Sequence, residues 1–345
     1  MMNNRIIWVD YAKALAIIFV VFLHAGVPYP LKGLIRVFLI PVFFFISGIF
    51  SNISKYDNAK AFFKQKSQSI LIPYFAFNLL TFLFWFFLGR HFGADENIKT
   101  NALESFLGIF TATATSLKHY VPLWFLACLF VVESLYFLIF KKIQTKKYQL
   151  LTLAFLFLFS LLMYNLDIKR LPWNIDIALS MIIFYGLGAY FRDFVLKNES
   201  ISFKNIAILT GISILAALIV TLAYNLNDEA KVYINQLGNY FLFFIGALAG
   251  IVLMTGLMKL ITMFPKHNKL ILYIGRNTLI ILALHLITGS VVKAITYYGF
   301  GLPLTIYEIP YVTFVYSISS VILLIPVIFF INKFTPFLLG KFKRN

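Results

Sequence analysis

The chain has 345 residues, of which 61% are hydrophobic and 12% charged, with a formal net charge of +17. Soluble domains carry about 25% charged residues, so this composition excludes a soluble globular protein and points to an integral membrane protein whose partner is the lipid bilayer. The basic excess sits in short loops between apolar runs, the pattern of cytoplasmic membrane loops, and no nucleic acid is expected as a partner.

Apolar runs close to the ~20 residues that cross the hydrocarbon predict ten membrane helices. They lie at about 7–29, 34–51, 70–89, 121–140, 150–166, 175–191, 206–224, 239–262, 270–290 and 309–332. The first run carries charge and lacks a small-residue cleavage site, so it reads as a helix rather than a cleaved leader. With the N-terminus inside, nineteen Lys and Arg fall in inner segments and nine in outer ones, while Lys259 and Arg276 lie within helices. That bias supports ten helices with both termini cytoplasmic. The expected fold is an all-α bundle, a single domain over 1–345 with no appended soluble domain. The longest stretch outside the membrane is 90–120, on the outer side, with a TATATS run and two histidines, His91 and His119, whose spacing predicts no metal site. Cys128 is the only cysteine, so neither an intramolecular disulfide nor a cysteine-based metal site is available.

The first helix carries the densest chemistry. Lys13 and His24 are eleven residues apart, and eleven steps of 100° come within about 20° of full turns, so both share one face. At about 1.5 Å per residue they stand roughly 16 Å apart, half a bilayer core. Asp10, three residues before Lys13, falls on nearly the same face and is spaced to pair with it. Ionisable groups in a membrane helix are costly and suggest function, and a buried histidine is the side chain best suited to move a proton near pH 7. Lys13 has two readings: a side chain that reaches back to the headgroups, or a cationic contact for an anionic ligand entering from the cytoplasm.

Other helices add candidates. Arg36 opens the second helix on the outer side, as a surface anchor or as a contact for an acidic glycan or a developing oxyanion. Ser47-Gly48 is read as a bend near that helix's end. Glu133 lies inside the fourth helix, either as a carboxylate orienting His24 or as a structural partner of Arg276 or a lysine. Asp176 opens the sixth helix, where a carboxylate favours the helix N-terminus. Arg276, Asn277 and His285 lie in the ninth helix, with His285 deep enough to line the cavity of His24 or simply to pack.

These residues stand in stretches that resemble a known family. Asp10-Tyr-Ala-Lys13, ten further residues and His24 resemble the first helix of the acyltransferase-3 family, whose signature is Arg or Lys, ten residues, then His. FFFISG (43–48), LIPY (71–74) after basic residues, PLWFL (122–126) and IGRNTLIILALH (274–285) are similar to its second, third, fourth and ninth helices. LPWNIDIAL (171–179) followed by FYGLGAYF (184–191) resembles the sixth helix of its fucose 4-O-acetylase-like branch. Members often carry an arginine pair shortly before the third helix; here Lys64 and Lys66 stand instead, with Ser67 and Ile70 nearer to it.

The resemblance implies a multi-pass enzyme of the bacterial inner membrane. It would move an acyl group, usually acetyl, from cytoplasmic acetyl-CoA to a hydroxyl of a cell-envelope glycan, with acyl-CoA as co-substrate and no bound cofactor. The residue chemistry fits. Transfer to a sugar hydroxyl needs a base near pH 7, for which His24 is best placed, and CoA phosphates call for a basic entrance, which Lys13, Lys64 and Lys66 supply. Whether His24 activates the sugar directly or first takes the acyl group itself stays open. The competing class is a transporter or flippase of a lipid-linked glycan or small metabolite, which would need paired broken helices and alternating gates.

Overall fold

In the computed structural model, residues 6–91, 100–166, 170–197, 202–264 and 266–342 are described. Of the loop cations counted above, Arg5, Lys99, Lys169, Lys343 and Arg344 lie outside them.

The described residues are all-helical. In chain order the helices are α1 (Ile7–Ala25), α2 (Leu31–Ile49), α3 (Ala59–Lys66), α4 (Ile72–Phe87), α5 (Ala102–Thr111), α6 (Trp124–Phe140), α7 (Lys146–Asn165) and α8 (Ile175–Tyr190). They continue as α9 (Arg192–Val195), α10 (Phe203–Leu226), α11 (Tyr240–Met263), α12 (Lys269–Arg276), α13 (Thr278–Ala294) and α14 (Pro310–Phe334). Ten helical segments among the described residues are long and apolar enough to cross a membrane. The expected all-α membrane bundle is therefore the observed fold.

Polar residues start several of these helices by taking up backbone N–H groups that have no partner inside the helix. Asn58 accepts from Ala61, Asn239 from Leu242, and Asn268 from Leu270 and Ile271. Gly26 stops α1, in the left-handed region at φ +91°, with its N–H bonded to the Phe22 carbonyl. His24 consequently occupies the last turn of α1.

Three departures from the expected elements bear on function. The segment read as one ninth helix is two, because Asn277 leaves helical geometry (φ −120°, ψ 24°) and separates α12 from α13. The third membrane helix begins earlier than expected: α3 runs through a π-helical turn, Ser67–Leu71, into α4. The outer stretch 90–120 contains α5, and its TATATS run is a turn. There Ser116 Oγ donates to the Gly108 carbonyl at 3.1 Å, and the Asn174 amide holds the Ala112 carbonyl at 2.7 Å.

The centre of the bundle is α1, α2, α8 and α11, with α7 and α10 largely exposed at its rim. Gly48 is where the expected bend proves to be close packing. A Cβ there would meet the Tyr185 carbonyl at 1.9 Å, and one on Gly188 would meet the Phe45 carbonyl at 2.1 Å. The FFFISG and FYGLG stretches thus let α2 and α8 touch backbone to backbone, which a side chain at either glycine would prevent. The start of α1 and the end of α14 both reach α12 and its joint with α13, through Asp10–Arg276 and Asn277–Asn332 contacts at 3.0 and 2.8 Å. This end is the inner one by the loop-charge expectation.

Candidate active site

The shared face of α1 opens on one cavity of about 480 Å³, lined by Lys13, Ile17, Val20 and His24 from that helix. The opposite walls come from α2, from the start of α6, from α13, and from the outer loop segment 230–233. The walls are mostly apolar, with Phe43, Phe125 and Leu129 among them. Charged side chains mark its ends: Lys13 at the inner end, Arg36 and Lys231 at the outer. Eleven residues of helix and the 3.6-residue period produce this arrangement without any further device.

His24 lies on the outer half of this face, and its Nδ1 stands 2.8 Å from the Val20 carbonyl. A carbonyl only accepts, so Nδ1 carries the proton and Nε2 keeps its lone pair. In the neutral imidazole this bond selects the tautomer whose basic nitrogen is Nε2, the form that a general base requires. It is exposed rather than packed away, and that exposure is onto the cavity it lines.

His285 meets it edge to face, with ring centroids 4.9 Å apart. Its own Nδ1 faces the Ile281 and Leu282 carbonyls at 3.0 Å, so it too is protonated at Nδ1. Its Nε2 is buried with no hydrogen-bond partner among the described residues. His285 does not line the cavity itself; it backs the ring that does. Tyr120 fixes this region of α13: its hydroxyl donates to the Leu282 carbonyl at 3.0 Å and accepts from the Leu286 N–H at 3.4 Å. Tyr120 was not among the expected site residues. Its one signal is position, two residues before the proline of PLWFL.

At the outer end Arg36 pairs with Glu229, and Lys231 Nζ lies 3.3 Å from the same carboxylate. Glu229 and Lys231 belong to the outer loop, and no local pattern announced them. Lys32 stands one turn before Arg36 on α2.

At the inner end a second cavity of about 700 Å³ is lined by Lys64, Gln65, Gln68, Arg276, Asn277 and Lys341, among others. Leu279 lines both cavities, so the two abut across one side chain of α13. Lys13 and Lys64 thus sit on the cavity system as expected, one on each cavity. Asn277 is the joint of a broken helix: it accepts from Asn332 and donates to the Tyr273 carbonyl at 2.7 Å.

Three expected roles change and a fourth is kept. Glu133 does not orient His24; Lys66 Nζ holds it at 2.6 Å, and the Val20 carbonyl does the orienting. Lys66 is correspondingly committed to Glu133 and lines neither cavity. Asp10 pairs with Arg276 at 3.0 Å, one turn below Lys13 and far from His24 along the helix, so it tethers α12 to α1. A Cβ on Gly275 would meet the Asp10 carbonyl at 1.9 Å, which shows how closely the two segments are joined. Asp176, in keeping with its place at a helix start, pairs with Arg170 and accepts from the Leu171 N–H at 3.4 Å, a carboxylate organising the start of α8. Arg170 also reaches the carbonyl of Tyr233, a cavity residue. Of the two outer-loop histidines, His119 is buried against Ser105 Oγ at 3.1 Å, and burial lowers its pKa from 6.5 to about 4.

Comparison with known proteins adds one finding. Residues 6–332, nearly the whole chain, match the family model described as an acyltransferase domain. No curated protein and no solved structure is similar enough to be matched. The chain belongs to the acyltransferase-3 family, and this multi-pass membrane protein is an acyltransferase.

Proposed function

We propose that this protein transfers an acyl group, acetyl in the simplest case, from cytoplasmic acyl-CoA to a hydroxyl of a cell-envelope or exported glycan. His24 is the general base, and the enzyme works in the bacterial inner membrane. The observation that carries the reading is the His24 ring. It is locked with a basic Nε2 on a cavity that reaches from a polar, cationic inner basin to a cationic outer mouth. The donor's nucleotide rests in the inner basin. Its long, thin pantetheine arm passes Leu279 and Lys13 and brings the thioester towards His24.

The chemistry closes without another reactant. Nε2 of His24 takes the proton of the acceptor hydroxyl as its oxygen attacks the thioester carbonyl carbon. The tetrahedral adduct collapses with rupture of the carbon–sulfur bond, and the imidazolium returns its proton to the CoA thiolate. The products are the O-acyl ester and CoA. Arg36 stands at the outer mouth, where a cation stabilises an oxyanion or an acidic group of the acceptor. The segment that resembles the fucose 4-O-acetylase-like branch supports a sugar as acceptor.

Inverted membrane vesicles containing the protein test this reading. With acetyl-CoA labelled in the acetyl group, label is expected in an alkali-labile glycan ester. No incorporation beyond vesicles lacking the protein contradicts it.

A further inference from the structure

The inner cavity has a wall that the family signatures do not contain, the turn that follows α14. Residues Pro336–Leu339 form a short 3-10 turn, closed by the Gly340 N–H on the Phe337 carbonyl at 2.9 Å and the Lys341 N–H on the Pro336 carbonyl at 3.1 Å. Gly340 stands at φ +66°, and a Cβ there would meet the Gln68 carbonyl at 1.6 Å. Only glycine allows that approach, which seats the turn directly on the π-helical segment between α3 and α4. The seating places Lys341 on the cavity, opposite Lys64 and Arg276.

We infer that this turn is part of the donor site and that Lys341 is a phosphate contact for the nucleotide end of CoA; the inference rests on the acyl-CoA reading above. Three cations from three separate segments line this cavity, and no carboxylate does so among the described residues. Asp10 offsets only Arg276, from behind. Among the described residues only Arg276 of this set has a carboxylate partner, and the set suits a ligand carrying several phosphate charges. The amides of Gln65 and Gln68 offer donors and acceptors to a purine edge. The volume, about 700 Å³, falls in the range of small-molecule and cofactor sites. The neighbouring cavity beyond Leu279 is mostly apolar and smaller, which suits the arm better than the nucleotide.

The test is equilibrium binding of CoA and of adenosine 3′,5′-bisphosphate to the purified full chain, since the second probe reads the nucleotide end alone. Lys341→Gln is expected to raise Kd for both probes roughly tenfold and to flatten its salt dependence, while Lys341→Arg stays near wild type. Gly340→Val, which keeps Lys341 but unseats the turn, is expected to raise Kd similarly. Lys341 is exposed, so its loss leaves the fold intact, and thermal midpoints of the variants check this. Tight CoA binding by wild type that neither substitution changes overturns the inference and leaves the acyl-CoA reading standing. Failure of the folded wild type to bind CoA overturns both.

Discussion

His24 and His285 face each other across α1 and α13 with ring centroids 4.9 Å apart, and each ring gives its Nδ1 proton to a carbonyl of its own helix. As neutral rings both are therefore the same tautomer, with Nε2 as the basic nitrogen, and the Tyr120 hydroxyl also lies 3.4 Å from His285 Nδ1. When His24 takes up a proton, the imidazolium forms beside a neutral imidazole whose Nε2 has no other partner. His285 is thereby expected to stabilise the charged form of the ring that the Val20 carbonyl orients. Replacing His285 with Phe is expected to lower kcat on the order of 10²-fold with little change in KM for acyl-CoA, and His285→Gln to restore part of the loss. Steady-state kinetics on folded, purified variants read this out; an equal rise in KM with unchanged kcat contradicts it.

Tyr120 holds α13 at the level of His285 through one buried hydroxyl. Tyr120→Phe removes that bond and leaves the ring packing, so the expected loss is about 1 kcal/mol of stability. Chemical denaturation in detergent measures it. No loss would mean that the Leu282 carbonyl is satisfied by its helix alone.

The Lys66–Glu133 pair has only one of its two charges near solvent, since the carboxylate is 8% exposed and the ammonium 21%. Removing one partner strands the other, and either Lys66→Met or Glu133→Leu is expected to cost about 3 kcal/mol. The double variant Lys66→Met/Glu133→Leu is expected to recover most of it. A double-mutant cycle on stability gives the coupling, and additive losses contradict the assignment of Glu133 as a structural partner.

The membrane spans were legible because each is an unbroken apolar run of about the right length, and the Lys13–His24 face because helical period alone defines it. The break at Asn277 was not legible: no proline or glycine pair marks it, and the Asn332 amide that donates to Asn277 lies on α14, distant in sequence. The partners of Asp10, Arg36 and Glu133 lie on distant segments, and a charge in a membrane helix signals that a partner is needed without saying which. Asp10 and Arg276 were both visible as candidates, yet only the tight Gly275 crossing brings them together.

Outside the membrane, His119 gives a pH signature of stability. Burial holds its folded pKa near 4 against an ordinary 6.5, so between these values the unfolded chain binds a proton that the folded chain does not. Stability therefore rises with pH across that window. Its contribution is full above pH 6.5 and is lost progressively as pH falls to about 4, by roughly 3 kcal/mol in all. His119→Gln is expected to flatten this part of the stability profile. A profile unchanged by the substitution would show that His119 is not the group responsible.

His24 is proposed above as the base of acyl-CoA-dependent transfer. The most direct measurement is acetyl-CoA turnover by purified protein in nanodiscs, hydrolytic or to a mixed sugar panel, with wild type beside His24→Ala and CoA binding followed in parallel. The variant is expected to bind CoA as wild type does and to turn over on the order of 10²–10⁴-fold more slowly. Undiminished turnover by the variant, or a well-folded wild type that binds no CoA, would contradict it.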